Sequence, residues 1–128
     1  MSDIFRDVFL GFIRVHILHH AAEHPIYGNE MILELGRHGY DISPGTIYPI
    51  FHGLEKAGYL TSRKEVAQGK VRKNYVITPA GHKALIRLKG QIHELTSEVL
   101  GEDALIGKKA AKVSSSKHLR RTANSLRK

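Results

Sequence analysis

The chain has 128 residues, 20 Lys and Arg against 12 Asp and Glu, a formal net charge of +8, and no cysteine. That length suits one compact domain with short appendages, and the lack of cysteine excludes disulfides, thiolate metal sites and cysteine nucleophiles. No apolar run approaches the ~18 residues that span a bilayer, and the start Met1-Ser2-Asp3 is acidic where a secretory signal is basic, so a cytoplasmic protein without a membrane partner is expected.

Charge is distributed in blocks. Residues 1–55 carry 3 basic and 7 acidic side chains, 56–89 carry 9 basic and 1 acidic, 90–106 carry 4 acids and no Lys or Arg, and 107–128 carry 8 basic and no acid. Positive charge gathered in this way is the footprint of a polyanion binder, although a solvated basic face would give the same count for either block alone.

In chain order, 4–24 predicts a helix with apolar residues around much of its circumference, among them Phe5, Val8, Phe9, Phe12, Ile13, Val15, Ile17 and Leu18, ended by His24-Pro25. Met31, Ile32 and Leu35 give a short helix over about 28–35, with Gly36 and Gly39 after it. A third helix over about 44–57 opens on Ser43-Pro44, a hydroxyl cap followed by proline in the first turn, and turns Ile47, Ile50, Phe51 and Leu54 inward. It also holds Gly45 and a second proline, Pro49, which removes the hydrogen bond to the Gly45 carbonyl and predicts a kink near the helix start.

From Leu60 the period changes to two. Residues 60–66 and 70–77 predict a β-hairpin with charged flanks, turning through Ala67-Gln68-Gly69. Thr78-Pro79 opens a last helix in which Leu85, Leu88, Ile92, Leu95 and Val99 are spaced 3, 4, 3, 4, the seam of a helix that pairs with another. Gly90 weakens that helix in isolation. Residues 107–128 have the composition of a basic tail, disordered in isolation.

The expected fold class is therefore mainly α with a small β-hairpin: a winged helix–turn–helix over 1–78, a dimerisation helix over 79–106 and the tail over 107–128. In such a fold the second helix of the pair enters the DNA major groove and the hairpin reaches the flanking backbone. The stretches "YGNEMILEL", "DISPGTIYPIFHGLEKAGYL" and "GKVRKNYVITPAGHKAL" together resemble the PadR family of transcriptional regulators over about residues 9–100, with 43–49 the most specific part. That resemblance implies a dimeric prokaryotic repressor on an inverted-repeat operator, often released by a small ligand, and the single C-terminal helix is similar to the family's short subfamily.

The candidate DNA-binding residues are Ser43, Gly45, Thr46 and Tyr48 at the groove entrance, Tyr27 and Asn29 at the start of the first helix of the pair, and Arg63, Lys64, Lys70, Arg72 and Lys73 in the wing. For Tyr48, core packing is an equal reading, because Ile47 and Tyr48 cannot both face inward. No Arg, Asn or Gln lies between 43 and 55, so readout is expected from DNA shape and from the wing as much as from base edges. The expected partners are double-stranded DNA, a second copy of the chain through Leu85, Leu88, Ile92, Leu95 and Val99, and a small hydrophobic effector among the apolar residues of the first and last helices.

No nucleophile elbow, phosphate loop or HExxH is present, so no catalytic residue and no cofactor is expected. His16, His20 and His24 recur at i, i+4 and i+8, which makes a metal-responsive regulator a minor alternative lacking a well-placed third partner. A non-specific nucleoid-type DNA-binding protein and a winged-helix protein-interaction module are the others.

Overall fold

A computed structural model describes residues 3–101. Its order is α1 (Ile4–Glu23), α2 (Gly28–Arg37), α3 (Pro44–Lys56), β1 (Leu60–Ala67), β2 (Lys70–Ile77) and α4 (Pro79–Thr96), followed by a π-helical turn, Ser97–Gly101. This is the expected class, mainly α with one hairpin in a winged helix–turn–helix arrangement. Among the described residues no helix is long and apolar enough to cross a membrane. The chain falls into two compact units that divide after Leu85, and the expected tail, 107–128, lies outside the described residues.

Asp3 starts α1 by accepting the amide of Phe5 at 3.0 Å. Only the second half of α1 is buried, through Ile13, Ile17, Leu18 and Ala21, whereas Phe5 is 82 % exposed. The broad apolar circumference thus does not mean burial all round within one chain. Helix α2 runs two residues further than its apolar spacing suggested and is closed by Gly39, at φ +85°, with the Tyr40 amide donating to the Leu35 carbonyl at 2.9 Å.

Helix α3 begins at Pro44, but Ser43 caps it through the backbone alone. Its carbonyl accepts the amides of Thr46 and Ile47, both at 3.0 Å. The expected hydroxyl cap is absent; Ser43 Oγ lies 3.4 Å from Thr46 Oγ1 instead. The helix continues through Pro49, and Ile47, Ile50, Phe51 and Leu54 form its inner face. Gly58, at φ +91°, ends it.

The hairpin turn uses two residues rather than the three expected, since Ala67 already pairs with Lys70. Gln68 and Gly69 have φ of +53° and +77°, the two positive values of a type I′ turn, whose twist suits the strands. At the hairpin base Tyr75 is fully buried. Its amide donates to the Ile26 carbonyl at 2.7 Å and its carbonyl accepts the Ile26 amide at 3.0 Å, while its ring stacks on Phe51 at 4.5 Å between centroids. Ile26 thereby adds a one-residue third strand and ties the α1–α2 connection to the wing.

Thr78 joins the wing to α4. Its hydroxyl donates to the Gly58 carbonyl at 2.6 Å and accepts the Gly81 amide at 2.9 Å. A Cβ on Gly81 would lie 2.2 Å from the Tyr59 carbonyl oxygen, so the helix start can come this close only with glycine. Leu85 is buried in the core of the first compact unit, which runs to that residue. The expected regular seam also ends early, because α4 passes into the π turn at Ser97.

Tyr75→Ala is expected to cost about 3–5 kcal/mol, as for other buried aromatics. The Tyr75 hydroxyl is buried with no hydrogen-bond partner, so Tyr75→Phe should be neutral or stabilising. Urea unfolding of the two variants checks both; a large loss for Tyr75→Phe would contradict this account of the site.

Candidate nucleic-acid interface

The inward turn of Ile47, Ile50, Phe51 and Leu54 leaves Ser43, Pro44, Gly45, Tyr48, Pro49 and His52 of α3 exposed, with Thr46 half-buried. The start of the recognition helix is therefore a surface of small side chains, prolines and one tyrosine. A Cβ on Gly45 would find only Ser43 Oγ, at 3.8 Å, so packing within the fold does not require glycine there.

Tyr48 is both exposed and packed, at 36 % accessibility. Its ring lies edge-on to Phe51 and presses on Gly28, where an added Cβ would meet the Tyr48 hydroxyl oxygen at 2.2 Å. Gly28 at the start of α2 is thus what lets the recognition-helix tyrosine lie flat against the first helix of the pair. It was not among the expected site residues, because a helix-opening glycine is ordinary in sequence and the need for it is tertiary.

A cleft of about 500 Å³ runs between these helices and the wing, lined among others by Tyr27, Asn29, Tyr48, His52, Lys70, Arg72 and Lys73. Among the described residues that line it none is acidic. Lys64 faces Lys73 across the hairpin and Ala67 faces Lys70; all three lysines, and Arg63, are exposed.

Arg72 behaves differently. Its guanidinium lies 3.9 Å above the Tyr27 ring, a cation–π contact, and 3.9 Å from Glu65. Of the expected wing cations, Arg72 is the one folded down onto the helix–turn–helix, with Tyr27 as its platform. Glu65 is also held by Asn74 across the strands.

Glu55, the only acid in α3, accepts the Ser62 amide at 3.0 Å and the Ser62 hydroxyl at 2.6 Å. It clamps the end of the recognition helix to the first wing strand. A single carboxylate facing a basic hairpin was the available sequence signal for this role. An acid-free cleft, a glycine-opened helix end and a row of lysines suit the phosphate backbone of a nucleic acid.

The model of the "Transcriptional regulator PadR-like family" matches residues 17–87. The chain belongs to the PadR-like family of transcriptional regulators. It is 48 % identical over 96 residues to the transcriptional regulator Rv3488 of Mycobacterium tuberculosis, covering 75 % of this chain and 90 % of that protein. Among solved structures it is similar to a PadR family transcriptional regulator of Eggerthella lenta, with 30 % identity and a TM-score of 0.67 over 75 % of this chain and 85 % of that one. A PadR-like regulator of Bacillus cereus gives 27 % identity and a TM-score of 0.64 over 70 % and 88 %. This PadR-like protein is a transcriptional regulator and not an enzyme.

The regulator also gathers histidines away from that cleft. His16 and His20 of α1 and His38 at the end of α2 bring their ring nitrogens within 4.8 Å of one another. His24 is not among them: its Nδ1 lies 2.9 Å from the Pro25 carbonyl oxygen. The histidines that come together are thus two of the i, i+4, i+8 trio and, in the third place, a residue from the end of another helix. Glu34 sits beside the group, with Oε2 3.1 Å from His38 Nε2 and 3.9 Å from His20 Nε2, while Oε1 accepts from Arg37 at 2.6 Å. Arg37, with help from His38, holds the Glu34 carboxyl below its usual range.

Burial lowers the pKa of His16, and His38, His20 and His19 lower it further against the pull of Glu34. Burial likewise lowers His20, with His19 and His38 acting in the same direction and Glu34 and Glu23 opposing. A histidine whose folded pKa is depressed contributes stability that is complete above the unfolded value near 6.5 and is lost as pH falls through the folded value. The melting temperature should accordingly be flat above the unfolded histidine value near 6.5 and fall as the pH drops below it. His16→Gln should flatten that fall, as read from thermal unfolding across pH; an unchanged slope would exclude the cluster as its source.

Proposed function

We propose that this regulator acts as a homodimer, binding a specific inverted-repeat operator as a repressor that a small hydrophobic ligand releases. The observation that carries the DNA-binding half is the acid-free cleft between α3 and the wing, with Lys70, Lys73 and Arg72 on its wall. In this reading the hydroxyls of Ser43 and Thr46, the bare backbone at Gly45 and the ring of Tyr48 enter the major groove, and Asn29 meets phosphate beside them. Lys64, Lys70, Lys73 and Arg63 contact the flanking backbone. Tyr27 acts by holding Arg72.

The homodimer is supported by α4 and the turn after it. Leu95 and Val99 are more than half exposed and Ile92 is 38 % exposed, a row of large apolar side chains of the kind a second copy covers. Leu88 is half-buried and belongs to the same row. Leu85 does not, since the core of its own chain takes it. A dimer with two such heads would favour half-sites about one helical turn apart, ~34 Å.

The deciding experiment is fluorescence anisotropy of DNA from upstream of the protein's own gene against a scrambled duplex, over a salt series. A preference on the order of a thousandfold, with one dimer per site, is expected. Lys70→Ala and Lys73→Ala should each reduce the slope of log affinity against log salt by about 1 without changing site preference. Equal binding to both duplexes would overturn the operator reading in favour of non-specific coating.

Gly45→Ala separates fold from function. Alanine should raise stability by about 0.5–1 kcal/mol, because helix propensity improves and no clash arises. Operator affinity should nevertheless fall in the same anisotropy assay. If both rise together, close backbone approach at Gly45 plays no part in binding.

A further inference from the structure

The histidine group at the junction of α1 and α2 has a geometry the DNA-binding role does not use. The centroids of His16, His20 and His38 form a triangle of 5.2, 6.2 and 6.5 Å. His16 is also held from the side by Tyr40, whose ring lies 5.1 Å away edge-on and packs in turn on Phe9 at 5.4 Å. Two of the imidazoles stand one helical turn apart on α1 and the third comes from the residue that ends α2, so the three converge from two elements.

We propose that His16, His20 and His38 bind one divalent transition-metal ion of the Zn²⁺ class, with Glu34 as the positioning carboxylate beside them. Imidazole nitrogens bind Zn²⁺ at about 2.0–2.1 Å, which sets neighbouring ligand atoms of a tetrahedral site about 3.4 Å apart. The nitrogens here already lie within 4.8 Å, so side-chain rotation closes the set without moving either helix. His38, exposed at the end of α2, is the side chain with most freedom to do so. Three neutral imidazoles and no thiolate favour Zn²⁺, Ni²⁺, Co²⁺ or Cu²⁺ over Ca²⁺ or Mg²⁺.

Glu34 completes the arrangement. Metal-bound histidines commonly direct their other ring nitrogen at a carboxylate, which orients the ring and raises its basicity. Glu34 is within reach of both His38 and His20, and Arg37 fixes it in place. A second group, His19, His20 and Glu23, is also close enough to share an ion, but it lies on one helix and is mostly exposed. The ion between α1 and α2 would be a cross-link, joining α1 to the residue that opens the turn into the recognition helix.

The test is titration of the untagged full chain with Zn²⁺ by calorimetry, and with Co²⁺ by visible absorption. One ion per chain at micromolar affinity or better is expected, with the intense Co²⁺ bands of a tetrahedral site. His38→Gln should weaken binding at least about tenfold and abolish the bands, and Glu34→Gln should weaken it about 10–100-fold. His24→Gln should change nothing. Because His38 is exposed, its variant keeps the fold, which the melting temperature without metal verifies. Binding that survives His38→Gln, or that falls equally with His24→Gln, or no binding at micromolar Zn²⁺, would each overturn the site.

Discussion

The fold depends on how Tyr75 is held. Its backbone exchanges two hydrogen bonds with Ile26, and its ring stacks on Phe51. One residue of the wing thus fixes both the connection that leads into α2 and the inner face of α3. Without that node the hairpin would be a two-stranded ribbon, which in water is marginal by itself. With it, the wing has a defined height and direction relative to the helix pair, and the cleft between them has a fixed width.

A second set of contacts keeps the recognition helix and the wing together at their other end. Glu55 takes two hydrogen bonds from Ser62, and Thr78 links Gly58 to the start of α4. Arg72 on Tyr27 closes the opposite side. These polar links lie at the rim of an apolar core that has no buried charged side chain among the described residues. Charge is therefore used at the edges, where it sets orientation: Arg72 is turned toward Glu65 and Tyr27, while Lys70 and Lys73 line the acid-free cleft without a carboxylate partner among the described residues. That arrangement suits a phosphate backbone, because counterion release needs cations whose charge is not already spent in ion pairs.

Elements whose signals are local were legible in the sequence. Pro44 and Pro79 mark helix starts, Gly39 and Gly58 mark helix ends, and the alternation through 70–77 marks the strand. Features set by residues distant in sequence were not. The Ile26–Tyr75 pairing spans 49 positions and leaves no periodicity; the packing of Tyr48 on Gly28 looks like an ordinary helix start. His38 lies 18 residues beyond His20, so the spacing of α1 alone pointed to His24. Leu85 fitted the seam by number, yet the seam cannot distinguish a residue claimed by its own core from one left for a partner. Ser43 had the right chemistry for a side-chain cap, but its hydroxyl lies beside Thr46 while its carbonyl takes the amides.

Among the described residues, the first and last helices share one physical problem, which is exposed apolar surface. In α1, Ile4, Phe5, Val8 and Phe12 are exposed; in α4 and the turn after it, Ile86, Leu95, Val99 and Leu100 are more than half exposed. Surface apolar residues scattered singly need no explanation, but repeats at helical spacing do. Helix propensity cannot be the reason for them, since Gly90 lies within α4 and Gly11 within α1, each weakening its helix by about 1 kcal/mol. Helices weakened in this way are stabilised by packing, and the packing they lack within one chain is what a second copy would supply. The core of the head is closed around Tyr75 and the second half of α1, while the first half of α1 and the outer face of α4 carry the surface that the proposed association would cover. In the proposed dimer, the DNA contacts would lie on the head and the contact between copies on these apolar helix faces. The distance between two heads would then be set by helices whose stability depends on assembly, so that anything which loosens the assembly would also spoil the spacing on DNA.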